Sequence, residues 1–188
     1  MEVQKIMSKI KNKVIALFGA IMLTASLAVA VPAQSDQAAY NARLTKQVRK
    51  ELVTLPYYGV FDNLAYEVNG ETVVLHGQVT RPSTRKDAER RVSKIEGVER
   101  VVNNIQVLPL SSFDDTIRAR TYRAVFRTGS LYRYARGANP SIHIIVNRGH
   151  VTLEGVVSNK MDSQLAYMAA NGVPGVFSVT NNLRVERD

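Results

Sequence analysis

Residues 66–79 read YEVNGETVVLHGQV, and residues 144–157 read IIVNRGHVTLEGVV. The two stretches stand 78 residues apart, and the same offset lays GVERVVNNIQV (97–107) on GVFSVTNNLRV (175–185) without a gap. Thirteen of the 42 pairs in this register are identical, among them Val73/Val151, Leu75/Leu153, Gly77/Gly155, Gly97/Gly175 and Asn103/Asn181. The matches fall where a strand or a turn dictates residue type, which marks an internal duplication.

Each copy has the same local reading. Asn69-Gly70 is a hairpin signal between Leu64–Val68 and Thr72–Val79, and Asn147-Arg148-Gly149 is its counterpart. Val73 and Leu75, like Val151 and Leu153, alternate with outward residues, so one face of each strand is buried. A helix over about 82–95 stacks Ala88, Val92 and Ile95 on one stripe, and a second over about 159–171 uses Leu165, Met168 and Ala169. Thr80 before Pro82, and Ser158, suit N-caps, while Gly97 and Gly175 suit the residue after a helix end. Strands at Arg100–Leu108 and Ser178–Glu186 close the copies, and helices at about 42–55 and 114–128 precede the hairpins. The fold class is therefore α+β, as two tandem α-β-β-α-β modules. Module one spans 42–108 and module two 114–186, with 109–113 as linker and 31–41 as an N-terminal tail.

The pattern V-x-L-x-G-x-V, then a helix, then G-V-x-x-V-x-N-x-[IVL]-x-V resembles the BON domain (bacterial OsmY and nodulation). Copy one carries it as Val73, Leu75, Gly77 and Val79, followed by Gly97, Val98, Val101, Asn103, Ile105 and Val107. Copy two carries Val151, Leu153, Gly155 and Val157, then Gly175, Val176, Val179, Asn181, Leu183 and Val185. The resemblance implies a three-stranded mixed sheet packed against two helices in each copy. It also implies an envelope location, phospholipid or membrane association, osmotic-stress protection and no catalytic residues. The 128–141 link of copy two is longer than that pattern allows.

The N-terminus reads as a secretory signal peptide over 1–30. Lys5, Lys9, Lys11 and Lys13 precede the uncharged run Val14–Ala30, which ends in Ala28-Val29-Ala30. Cleavage after Ala33 and a start at Met7 are alternatives, and an uncleaved anchor is the rival. The run is short for a bilayer core of ~30 Å. The expected location is the periplasm, in solution or peripheral on a membrane.

Composition narrows the chemistry. Apolar residues at 45% and charged residues at 22% describe a chain that folds. The absence of Cys excludes disulfides, thiolate metal sites and a cysteine nucleophile. His76, His143 and His150 are the only histidines. His76 reads as a surface residue, and His143 and His150 flank the second hairpin without a carboxylate assigned beside them, so no metal is expected. Tyr57-Tyr58 reads as a packed corner. No nucleophile, base and orienting group assemble, and no G-x-S-x-G, H-E-x-x-H or P-loop pattern occurs. The expectation is a non-catalytic protein without cofactor or small-molecule substrate.

The net charge of +9 points to an anionic partner, and its densest part is specific. Between Asp115 and Glu154 there is no acid, yet seven arginines occur. Arginine grips phosphate bidentately. On the expected helix, Ile117, Thr121, Ala124 and Val125 point inward, Arg120, Arg123 and Arg127 share a flank, and Tyr122 and Phe126 point outward. Beyond it, Tyr132, Arg133, Tyr134 and Arg136 interleave aromatics with guanidinium groups. These seven residues (Arg120, Arg123, Arg127, Tyr132, Arg133, Tyr134, Arg136) are the expected lipid-binding set, and the partner is an anionic phospholipid surface. The export signal argues against nucleic acid. A different reading is a protein-interaction or holdase-type stress factor that uses an exposed sheet edge on envelope proteins.

Overall fold

The structure is a computed structural model that describes residues 33–186 other than 138; the expected signal peptide lies outside the described residues. The described residues from Asp36 onward belong to one compact unit. Its elements follow the duplicated order. Module one contains α1 (Ala33–Val53), β1 (Asn63–Asn69), β2 (Thr72–Val79), α2 (Pro82–Val92), β3 (Arg100–Asn103) and β4 (Gln106–Val107). Module two contains α3 (Ser112–Arg127), a 3-10 helix (Gly129–Ala135), β5 (Ile142–Asn147), β6 (His150–Val157), α4 (Lys160–Asn171) and β7 (Ser178–Val185).

Both sheets are mixed. β1 pairs antiparallel with β2, and β3 and β4 pair parallel with β2. β5 pairs antiparallel with β6, and β7 pairs parallel with β6. The repeated valines and leucines become the cores. Val73, Leu75 and Val79 of β2 pack with Leu44, Val48 and Leu52 of α1 and Ala88 and Val92 of α2. Val151, Leu153 and Val157 of β6 pack with Ile117 and Val125 of α3 and Ala166 and Ala170 of α4. Four-residue spacing puts Leu44, Val48 and Leu52 on one helix stripe, which is why α1 lies flat on its sheet.

The motif residues that read as repeats have one structural job in both copies. The Asn103 carboxamide donates to Arg85 O at 3.1 Å and accepts from Ile105 N at 3.2 Å. Asn181 donates to Ser163 O at 3.2 Å and accepts from Leu183 N at 3.2 Å. Each asparagine ties the crossover helix to the last strand. Gly77 and Gly155 sit at φ +119 and +122, and a Cβ there would lie 2.0 Å from Asn63 O and Ser141 O. The neighbouring strand passes where a side chain would stand, so only glycine fits.

Several boundaries differ from expectation. α1 starts at Ala33, nine residues early, and ends at Val53. The last strand of module one is broken into β3 and β4, with the buried Ile105 between them. Thr80 and Ser158 do not cap helices. Arg81 holds the cap position of α2 without a side-chain bond, and Pro82 begins the helix. Asn159 caps α4 through Asp162 N at 2.8 Å. Instead, Thr80 N donates to Asp62 Oδ1 at 2.6 Å and Ser158 N to the Tyr134 hydroxyl at 2.9 Å. The same backbone group is satisfied in each copy by an unrelated side chain. Gly97 and Gly175 lie beyond the helix ends, at φ +91 and +95 in the turn that enters the last strand. The long 128–141 link is occupied by the 3-10 helix.

The loop between α1 and β1 joins the modules. Ile144 N donates to Val60 O at 2.7 Å, and Asn139 Nδ2 donates to Val53 O at 2.6 Å. Val60 and Phe61 pack against the core of module two. His143, buried on β5, stacks on Tyr58 with ring centroids 5.5 Å apart, and its Nδ1 faces Gly59 O at 3.2 Å. Burial pushes the Tyr58 hydroxyl up to about 12. Tyr57 is not packed as expected: its ring is 68% exposed, its φ is +66, and Arg81 lies over it. His143 and His150 do not approach each other, because they pair with Glu154 and Asn147 at separate points of the ladder.

Two predictions follow from this packing. Gly77→Ala or Gly155→Ala forces strain and a backbone clash, so thermal melting should show a loss of at least ~1–3 kcal/mol at either site. Burial lowers the pKa of His143 from 6.5 more than the backbone bonds to Gly59 and Asp62 and the carboxylates of Asp62 and Glu154 raise it. The unfolded chain therefore takes up the extra proton first. Stability should be full above about pH 6.5 and fall as the pH drops below it, by at most ~1.4 kcal/mol per unit. His143→Gln should flatten that slope in melts recorded between pH 7 and pH 5, and an unaltered slope would place its origin elsewhere.

Candidate functional site

α3 carries the arginines because it is well started and one-sided. The Ser111 hydroxyl accepts from Asp114 N at 3.1 Å, which caps the first turn. Asp114 and Asp115 then sit at the positive end of the helix dipole. The buried Asp114 carboxylate reaches across to the β5–β6 turn and accepts from Arg148 N and Gly149 N, both at 2.8 Å. That pair of bonds holds Arg148 at φ +51, a conformation that favours glycine.

Of the expected inward stripe, Ile117, Thr121 and Val125 are buried and Ala124 is half-buried. Arg118 is also buried, with Nη2 donating to Val146 O at 2.8 Å and Nη1 to Asp115 at 2.5 Å. Phe126 corrects the expectation of an outward ring. It is buried in the core of module two, and Tyr122 packs edge-on against it at 4.8 Å and against Phe61 at 6.3 Å. The α1–β1 loop of module one covers this flank, so a side that looks outward within one copy becomes an inter-module contact.

Arg120, Arg123 and Arg127 are exposed on the remaining flank. Seven residues advance a helix by two turns within about 20°, so Arg120 and Arg127 are nearly in line and Arg123 lies between them. Arg120 donates to Pro174 O at 3.3 Å. Among the described residues, no carboxylate forms an ion pair with any of the three.

The 3-10 helix divides the other four. Tyr132 is 57% exposed, with the exposed Arg136 guanidinium over its ring at 5.3 Å. Tyr134 is buried instead, and its hydroxyl donates to Asp162 Oδ2 at 2.5 Å. Arg133 is exposed but bonded to the same carboxylate. Burial works against the charge on Asp162. Bonds from Tyr134, Arg133 and Ser130 outweigh it and hold the carboxyl below its usual pKa. This cluster fastens the 3-10 helix to the start of α4. The free cationic surface is therefore Arg120, Arg123, Arg127 and Arg136, with Tyr132 beside it.

Sequence reasoning passed over a second feature of the same module. Phe113 and Phe177 are 47% and 68% exposed and touch each other, with ring centroids 5.9 Å apart. The signal was available: Phe177 stands where copy one has Glu99, an aromatic in place of a charge at an exposed turn.

Comparison with known proteins agrees with this architecture. The BON-domain family profile matches residues 40–109 and 114–187. No curated protein matches the chain. Among solved structures, two of CdsD, a structural protein of the type III secretion system of Chlamydia trachomatis, are similar over 77% of this chain. Both are 10% identical; they are covered to 92% and 98%, with TM-scores of 0.31 and 0.28, too distant to carry any argument. The family match takes in most of the chain in two consecutive segments that coincide with the two modules, and the chain belongs to the BON-domain family as a tandem pair.

Proposed function

We propose that this is an exported, non-catalytic protein of the bacterial envelope that binds anionic phospholipid surfaces through module two. Its role in the cell would be to support envelope integrity or tolerance of osmotic stress. The observation that carries the reading is the line of Arg120, Arg123 and Arg127 on α3, with Arg136 and Tyr132 exposed in the segment that follows it, all without carboxylate partners among the described residues. Family membership favours an envelope or phospholipid-related role. The export step rests on the signal-like N-terminus.

Magnitudes suit a peripheral binder. Each cation near an anionic leaflet contributes about 1 kcal/mol, so four supply roughly 4 kcal/mol, a dissociation constant near the millimolar range. Screening acts over ~8 Å at physiological ionic strength, so such binding must weaken steeply with salt.

The second reading is a protein-interaction or holdase-type role. It is favoured by β7, an eight-residue strand at a sheet edge whose outer side has no partner strand among the described residues. It would take an extended segment of an envelope protein and be indifferent to lipid charge.

Co-sedimentation with neutral and anionic vesicles separates the two. The chain should pellet with anionic vesicles only, and at least tenfold less at ~0.5 M salt. Reversing Arg120, Arg123, Arg127 and Arg136 to Glu together should abolish pelleting, and the threefold variant that keeps Arg120, which holds Pro174 O, should lose most of it with an unchanged melting temperature. Arg133→Glu should instead lower the melting temperature, because it sets a second carboxylate against Asp162. Unchanged pelleting by the fourfold variant would remove the lipid reading.

A further inference from the structure

Arginines alone bind a membrane weakly and would serve any polyanion equally well. The exposed aromatic pair beside them distinguishes the partner. We infer that Phe113 and Phe177 form an apolar anchor that enters the acyl region of an anionic bilayer while the arginine line of α3 meets the headgroups. This rests on the lipid reading above and adds the depth and orientation of the bound molecule.

Phe113 lies on the arginine side of α3. It precedes Arg120 by seven residues and Arg127 by fourteen, so all three fall within about 40° of helix arc. Asp115, the one exposed acid of the first turn, is two residues and 200° further round, and it is paired with Arg118 at 2.5 Å. Phe177 comes from the turn before β7. Arg120 holds that turn against α3 through Pro174 O at 3.3 Å. One arginine of the line thus fixes the loop that carries the second ring.

Packing accounts for one ring but not the other. In copy one Tyr40 closes over Gly97, donating to its carbonyl at 2.9 Å. Phe113 does the same over Gly175, where a Cβ would meet its ring at 3.6 Å. An aromatic on the first helix is therefore a requirement of the turn. At the position of Phe177, copy one has Glu99, so the turn does not require an aromatic there. Phe177 rests on the glycine surface of Gly149 and the edge of the His150 ring, and is still 68% exposed. The neighbours complete an interfacial surface: Leu110 is almost fully exposed, and Arg148 is exposed at the hairpin turn. Apolar rings rimmed by guanidinium groups match an anionic leaflet, whose charge lies above its hydrocarbon.

The chain has no tryptophan, so Phe177→Trp places a single reporter in the proposed anchor. With the chain in its naturally processed form, vesicles of anionic phospholipid should shift its emission to the blue, and brominated acyl chains should quench it. Neutral vesicles should do neither. Phe113→Ser with Phe177→Ser should weaken binding to anionic vesicles about tenfold or more while leaving the salt dependence intact. An unchanged melting temperature would show that the fold is kept. Vesicle binding with unshifted, unquenched emission would overturn the anchor and leave the arginine surface standing. No vesicle binding at all would overturn both. Emission that responds to single-stranded nucleic acid and not to vesicles would overturn the anchor in favour of base stacking.

Discussion

The hydrogen bond from Ile144 N to Val60 O decides which surfaces of this protein are free. It attaches the α1–β1 loop of module one to the edge strand of module two. Once there, the loop drives Phe61 against Tyr122 and places Tyr58 under His143. An otherwise open sheet edge is closed, which removes a site for unwanted strand pairing. The second core is completed by two residues of the first module, so the tandem pair behaves as one unit rather than as beads on a linker. One flank of α3 is consumed by this contact, and only the opposite flank, with its arginines, can face a partner.

Much of the fold was legible because the duplication checks itself. A glycine or asparagine kept at both ends of a 78-residue offset needs a backbone reason, and Gly77, Gly155, Asn103 and Asn181 each have one. What was illegible depends on partners that are remote in sequence. Phe126 reads as outward until a loop 65 residues earlier covers it. Tyr134 reads as a surface aromatic until Asp162, 28 residues later, takes its hydroxyl. Thr80 and Ser158 have the chemistry of helix caps, but their backbone groups are held by Asp62 and Tyr134, and the caps shift by one residue. The arginine line was legible because exposure on a helix is set by period. The arginines in and just after the 3-10 helix follow no such rule, and there pattern reasoning placed Arg133 and Arg136 together although Arg133 is bonded to Asp162.

The two copies have diverged in charge while keeping one backbone. The first helices carry four cations and two acids each but place them differently: α1 has Glu51 beside its last basic residues, while α3 carries no acid after Asp115. In copy one, Arg91 pairs with Glu51 and Arg90 with Asp87. In copy two, two of the acids near the arginines are used internally, Asp114 on the hairpin turn and Asp162 on Tyr134 and Arg133. The cations on the flank of α3 stay without ion pairs because the nearby carboxylates are engaged elsewhere, Asp115 with Arg118 and Asp114 and Asp162 inside the fold.

That arrangement has a consequence for rigidity. A flexible arginine tail would lose conformational freedom on meeting a membrane, whereas a line fixed on a packed helix has already lost it in folding. Asp162 fixes the 3-10 helix, Asp114 fixes the hairpin turn, and Arg120 fixes the loop bearing Phe177. Each tether lies at the border of the cationic surface, and each holds a segment that would otherwise move independently of α3. Weak contacts of about 1 kcal/mol each gain from such a frame, because one orientation engages them all at once.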